Sequence, residues 1–316
     1  MRIADMNTHM GKAPVSRPRL PVPGRIVLLL LVTLCSCSGN HSQTTARGTA
    51  DSAGGDGQTA AGAAVPVGGD DPAGQYRAGG ESGLILDDFL DRILRAAEIP
   101  PEAAGKVSEA AVAGPSFILD LLACLNEEAG LRALVDKGHA LPDGYEPPDL
   151  VELGGGSYQV SRRGLQLRQM AAESLETMAA AARADGVTLV ASSAYRSYAY
   201  QEEVYARNVR ESGQETADRE SARSGRSQHQ TGLALDFGSI DDSFAVSPAG
   251  RWMAVNAGRF GWSLSFPDGY EGVTGYRWES WHYRYVGREL AAFIETYFGG
   301  IQQYALRFIY EWERSR

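Results

Sequence analysis

Apolar residues are sparse over a long early stretch and then return with a period. Residues 38–83 contain no Leu, Ile, Phe, Met or Trp, and Tyr76 is their one Tyr. Gly, Ala, Ser, Thr and Asp fill the stretch, which can bury too little surface to offset its ordering entropy. A flexible linker is expected there. From Leu84 the pattern changes: Leu86, Phe89, Leu90, Ile93, Leu94 and Ala97 recur at helical spacing, and Pro100-Pro101 stops the run. A second helix is predicted over Phe117–Leu125, with Cys124 as a small core residue. These helices form either a small separate unit or a layer on the main domain. Leu134–Lys137 and Leu141–Leu150 read as extended chain with turns.

A long amphipathic helix is predicted over Gly164–Asp185, with Leu167, Met170, Ala171, Leu175, Met178 and Ala182 inward and Gly186 just past its end. Val187–Ser192 reads as a strand. Ser197 is placed to cap a helix over Tyr198–Glu211, and residues 212–226 read as a polar surface loop. Ser247-Pro248 has the form of an N-cap followed by Pro at the first helical position, opening a helix to about Ala257. Helices and strands mix without a regular βαβ repeat, which favours an α+β fold. No internal repeat is visible.

Charge sharpens the picture at the N-terminus. Residues 1–37 hold five basic residues and one acid, a net +4 in a chain of net −9, so the remainder carries −13. Ile26–Leu34 is uncharged and mostly apolar, too short for a permanent span but suited to a secretory leader. Leu34-Cys35-Ser36-Cys37 then resembles a bacterial lipobox. Cys37 fits better than Cys35, which would follow the bulky Leu34. The acidic balance argues against a nucleic-acid partner, which normally meets a basic face. Three Cys, two of them near the N-terminus, exclude a disulfide-stapled scaffold and a Cys-rich zinc site.

Of five His, only His139, His229 and His282 lie in sequence expected to fold. In Ser227-Gln-His229-Gln-Thr-Gly232-Leu-Ala-Leu-Asp236-Phe237 the alternation sends Leu233, Leu235 and Phe237 to one face and Ala234 and Asp236 to the other. Gly232 permits a bend that could bring His229 round to Asp236, a plausible zinc pair; a surface Asp on a half-exposed strand is the plainer alternative. In Trp278-Glu279-Ser280-Trp281-His282 a carboxylate and a His lie three apart. A regular strand would point them opposite ways, so a bend or bulge is needed, and a core strand with a satisfied His is the alternative. Arg196 falls at a strand-to-helix junction, where a guanidinium can clamp a carboxylate or form a surface ion pair.

Ser-x-His-x-x-Gly-x-Ala-x-Asp followed by Glu-x-Trp-His resembles the signature of the LAS metallopeptidases, and within them the VanY-type D-alanyl-D-alanine carboxypeptidases. The likeness spans about Leu131–Gly287 and includes Leu134–Lys137, Tyr145–Leu150, Ala194–Ser197 with Gln201, and Thr274–Gly287. Ser280 stands where many relatives have Pro, and Trp278, which stands where many have Tyr, could alter the pocket wall. The resemblance implies a small mixed or antiparallel sheet flanked by helices, of the hedgehog and DD-peptidase kind. It implies zinc held by His229, Asp236 and His282, a zinc-activated water as nucleophile, and Glu279 as general base. Arg196 would hold the substrate's terminal carboxylate, about one substrate residue from the metal, with Gln201 and Ser227 as substrate or supporting contacts.

The expected activity is removal of the terminal D-Ala from peptidoglycan stem peptides. An L,D-carboxypeptidase, a D-Ala-D-Ala dipeptidase or an endopeptidase would share every ligand, and a non-catalytic wall-binding or signalling protein is a further alternative. The organisation expected is a signal peptide with lipobox (1–37), a linker (38–83), a helical region (84–130), a zinc peptidase domain (131–300) and a C-terminal helix (301–316). Such a protein would sit in the bacterial cell envelope, held to the membrane by a lipid on Cys37. Cys37→Ser should release it or leave its precursor uncut in a membrane-fractionation assay. Unchanged attachment with Cys35 intact would refute this anchor.

Overall fold

A computed structural model describes residues 81–316; the expected leader, Cys37 and the linker up to residue 80 lie outside them. Helix α1 (Glu81–Ala96) begins three residues before the expected linker boundary. Pro100-Pro101 ends its run but also opens α2 (Pro101–Ala113), a helix that the hydrophobic pattern does not announce. Pro at the first helical position loses no hydrogen bond, so one residue type serves as both stop and start. Helix α3 (Ser116–Asn126) follows.

The next segments are β1 (Leu150–Glu152), β2 (Gln159–Val160), β3 (Gln166–Arg168) and α4 (Gln169–Ala184). The helix expected from Gly164 therefore starts five residues later. Its first residues form β3, which pairs antiparallel with β1 in the register Val151↔Leu167. Arg168 is held there by Asp149 and Glu128 at 2.7 Å each, contacts from distant loops that local periodicity does not contain. Strand β4 (Val190–Ser193) and α5 (Tyr198–Ser212) follow, with the Ser197 hydroxyl accepting from the Tyr200 N–H as expected. Gly213 turns the chain into α6 (Gln214–Glu220), inside the segment expected to be a loop. That short helix is tied to α5 by the Tyr205 hydroxyl donating to Asp218 and by buried Ala217.

The remaining elements are β5 (Ala234–Phe237), α7 (Pro248–Asn256), β6 (Trp262–Leu264), α8 (Glu271–Thr274), β7 (His282–Tyr285), α9 (Arg288–Phe298) and α10 (Gln302–Arg314). Ser247 caps α7 through the Gly250 N–H. Five strands form one sheet in the order β2-β4-β5-β7-β6, parallel only between β2 and β4. The small mixed sheet flanked by helices is the α+β architecture expected. All four residues of β5 are buried, so this central strand is covered on both faces.

One core cluster joins Leu233, Leu235 and Phe237 to α4 and Trp262. A second joins α1, α2 and α3 to α9 and α10, so the early helices pack on the C-terminal ones instead of standing apart. Phe117 is its hub, with ring centroids 5.6 Å from Phe293, 5.0 Å from Tyr297 and 5.9 Å from Phe308. Cys124 lies in the same cluster, and burial pushes its thiol up to about 12, so it is an inert core residue. Among the described residues no single helix is long and apolar enough to cross a membrane. Phe117→Ala should cost about 3–5 kcal/mol in denaturant unfolding. It should shift one common transition; a separate early transition for the helices alone would contradict this packing.

Candidate metal centre and active site

Strand β5 sets the centre. Its alternation sends Asp236 to the face opposite Leu235 and Phe237, and the antiparallel register places Asp236 directly across from His282 on β7. His229 lies in the 3-10 turn Gln228–Thr231, which ends at Gly232 with φ +69°. A Cβ at Gly232 would stand 2.9 Å from Arg168 Cγ, so the turn needs glycine for both its backbone angle and its space. The bend sought near Glu279 is a turn in which the His282 N–H donates to the Glu279 carbonyl at 3.2 Å. It ends where β7 begins and brings a Glu279 oxygen to 3.7 Å from His282 Nδ1.

The ligand-type atoms of His229, Asp236 and His282 all lie within 4.8 Å of one another, and all three side chains are buried. His229 Nε2 is 3.2 Å from one Asp236 oxygen and His282 Nδ1 is 2.9 Å from the other. The outward nitrogens decide what these contacts are. His229 Nδ1 faces the Ala194 carbonyl at 2.8 Å, an oxygen that only accepts, so the ring carries its proton there and its Nε2 is a bare lone pair. His282 Nε2 faces the Gln228 side-chain oxygen at 3.2 Å, an acceptor, so the neutral form of this ring carries its proton there and turns a bare Nδ1 toward Asp236. Two lone pairs then point at a carboxylate, and His229 Nε2 has no hydrogen-bond partner. A cation shared by two nitrogens and a carboxylate oxygen resolves that repulsion, and this donor set suits zinc.

Burial, then the positive charge of Arg196, pushes His229 down to about 4, so it is neutral and free to ligate. Glu279 goes the other way: burial, then the Asp236 charge, pushes it up to about 8, the range of a group that trades protons near neutrality.

The other expected residues gather round. Arg196 donates to the Gln201 side-chain oxygen at 3.0 Å, and Gln201 donates to the Ala222 carbonyl at 2.6 Å. Arg196, His229, Ser227, Glu279 and His282 line one narrow cleft. Arg196 stands closer than expected: its Nη2 reaches Asp236 at 3.4 Å, drawn by the nearest buried carboxylate. Trp278, expected at the pocket wall, is not among the residues lining this cleft. His139 belongs elsewhere, bound to Asp136 and packed on Tyr310. A larger cleft, about 430 Å³, is lined by His139 together with Glu98, Lys137 and Arg307 and contains neither the three ligand residues nor Glu279 or Arg196. Gln228 is a site residue that sequence reasoning does not find. Its only sequence signal is adjacency to His229, and its role depends on partners far along the chain.

Residues 164–288 match the family model of VanY, D-alanyl-D-alanine carboxypeptidase. The chain is 36% identical over 187 residues to the putative carboxypeptidase YodJ of Bacillus subtilis (strain 168), covering 56% of this chain and 67% of that protein. It is 30% identical over 224 residues to a D-alanyl-D-alanine carboxypeptidase of Enterococcus faecalis, covering 67% of this chain and 80% of that one. The solved structure of the vancomycin-resistance D,D-dipeptidase VanXYg with a D-Ala-D-Ala phosphinate analogue has a TM-score of 0.50 at 25% identity, covering 57% of this chain and 71% of that one. The chain belongs to the VanY family of D-alanyl-D-alanine carboxypeptidases.

A bound divalent cation would oppose the upward shift at Glu279. A carboxyl-carbon NMR titration should place Glu279 near 8 in metal-free protein and clearly lower once zinc is added. An identical titration in both states would remove Glu279 from the neighbourhood of the metal.

Proposed function

We propose that this protein is a zinc-dependent D,D-carboxypeptidase that removes the terminal D-Ala from peptidoglycan stem peptides. The observation that carries the reading is the meeting of two bare imidazole nitrogens and an ionised Asp236 beside a proton-trading Glu279. His229, Asp236 and His282 would hold the zinc. When bound, zinc supplies Lewis acidity, which polarises a peptide carbonyl and lowers the pKa of water to about 7.

The protein's own groups do the rest. The Glu279 carboxylate takes a proton from the attacking water and returns it to the departing amine nitrogen as the peptide bond breaks. Arg196 offers a planar fork to the terminal carboxylate of the substrate, and Gln201 steadies that fork from behind. A free carboxylate distinguishes a chain end from a chain middle, so this contact favours an exopeptidase. Ser227 borders the same cleft as a further polar contact. The basic start, apolar run and lipobox-like Cys37 support attachment of the enzyme to the outer face of a bacterial membrane, within reach of the wall.

The test is an assay on pentapeptide and tetrapeptide stems. Pentapeptide should lose one D-Ala, a chelator should abolish the activity and zinc should restore it. Glu279→Gln should lower turnover by on the order of 10²-fold or more with zinc still bound. Arg196→Ala and Arg196→Lys should each lose roughly 2–5 kcal/mol of transition-state stabilisation on free-acid peptides. Equal cleavage of amidated and free-acid peptides would overturn the carboxypeptidase assignment in favour of an endopeptidase, and cleavage of the tetrapeptide alone would make it an L,D-enzyme.

A further inference from the structure

The last helix reaches into the site through a side-chain relay. Gln302 opens α10 and is 1% exposed. Its Nε2 donates to the Ser263 carbonyl at 3.2 Å, and its oxygen accepts from Gln228 Nε2 at 3.3 Å. The Gln228 oxygen then faces His282 Nε2 at 3.2 Å and accepts from the Ser265 hydroxyl at 2.7 Å.

A primary amide rotated by half a turn offers NH2 where it had offered oxygen. At Gln228 the two orientations have opposite consequences. As found, the oxygen faces the ring, so His282 carries its proton on Nε2 and turns a bare Nδ1 toward Asp236. In the other orientation the NH2 would face the ring. His282 would then accept at Nε2 and hold its proton on Nδ1, against the Asp236 oxygen that lies 2.9 Å away. That proton would occupy the direction a metal needs. The choice is made outside the site. The Ser263 carbonyl can only accept, so Gln302 turns its NH2 there and its oxygen to Gln228. Gln228 must therefore donate to Gln302 and keep its own oxygen for the ring.

We propose that Gln302 is a positioning residue that selects the metal-ready tautomer of His282 through Gln228. This rests on the metal reading given above. Gln302 lies beyond residues 164–288, the part matched by the family model. The C-terminal helix is thus a working part of the centre as well as a packing element. Its neighbour Gln303 provides the control: it is also buried on α10, but it donates to Asp136 at 2.6 Å and does not touch the relay.

The test is zinc affinity of the full chain, measured by chelator competition on wild type and variants. Gln302→Met should weaken zinc by on the order of tenfold, the scale of losing an outer partner of a ligand. Gln303→Met should lower the Tm with little change in zinc affinity. In a Gln228→Glu background the carboxylate accepts through either oxygen and has no wrong orientation. There Gln302→Met should no longer weaken zinc. Equal losses in both backgrounds, or from Gln302→Met and Gln303→Met alike, would show general destabilisation and overturn the proposal. Should Gln302→Met fail to fold, NMR of zinc-loaded wild type decides: the Gln228 amide protons should lie on the Gln302 side, and protons against the His282 ring would overturn the relay. Wild type that takes up no zinc would overturn the metal reading and this one together. Zinc uptake unchanged by Gln302→Met would overturn this one alone.

Discussion

A buried carboxylate between two imidazoles organises this protein. Asp236 sits with one oxygen 3.2 Å from His229 Nε2 and the other 2.9 Å from His282 Nδ1. Each ring is turned by an acceptor on its far side, the Ala194 carbonyl for His229 and the Gln228 oxygen for His282. A buried charge facing two lone pairs is costly, and the Arg196 guanidinium, 3.4 Å from one Asp236 oxygen, offsets that cost from one side only. The surrounding structure holds the three groups in that arrangement against their own repulsion, which is how a binding site for a cation is pre-organised.

The scaffold supplies the necessary rigidity. Asp236 and His282 are direct partners across an antiparallel register, and a slip of one residue would send one of them to the opposite face. Apolar Leu235 and Phe237 on one side of β5 fix that register by entering the core with Trp262. On the other side the turn at Gly232 and the turn from Glu279 to His282 deliver residues that regular strands would have pointed away. The helices at the two ends of the described chain pack on one another as one apolar cluster, and α10 adds polar contacts from its first turn.

Much of the site can be read from residue order. The alternation around Asp236 requires only a strand with one apolar face, and that requirement is local. The need for a bend at Glu279 follows from strand geometry alone, because residues three apart on a regular strand face opposite ways. The segment Gly164–Arg168 is legible only in part, because Leu165 and Leu167 suit a short strand as well as a helix. The deciding contacts of Arg168 come from Glu128 and Asp149. Helix α6 escapes a reading by pattern because its polar sequence shows no stripe and buried Ala217 is too small to announce one. Helix α2 hides behind a proline that reads as a stop. Gln228, Ser265 and Gln302 are illegible for a simpler reason: an amide's role is set by which atom faces which partner, and those partners lie up to 74 residues apart.

The most direct measurement of the central claim is X-ray absorption at the zinc edge on protein loaded with one equivalent of the metal. Two imidazole nitrogens and at least one carboxylate oxygen are expected around the metal, at about 2.0–2.2 Å, and no sulfur. Asp236→Ala should remove that ordered site. A shell with one imidazole or none, a sulfur neighbour, or the same spectrum after Asp236→Ala would contradict it.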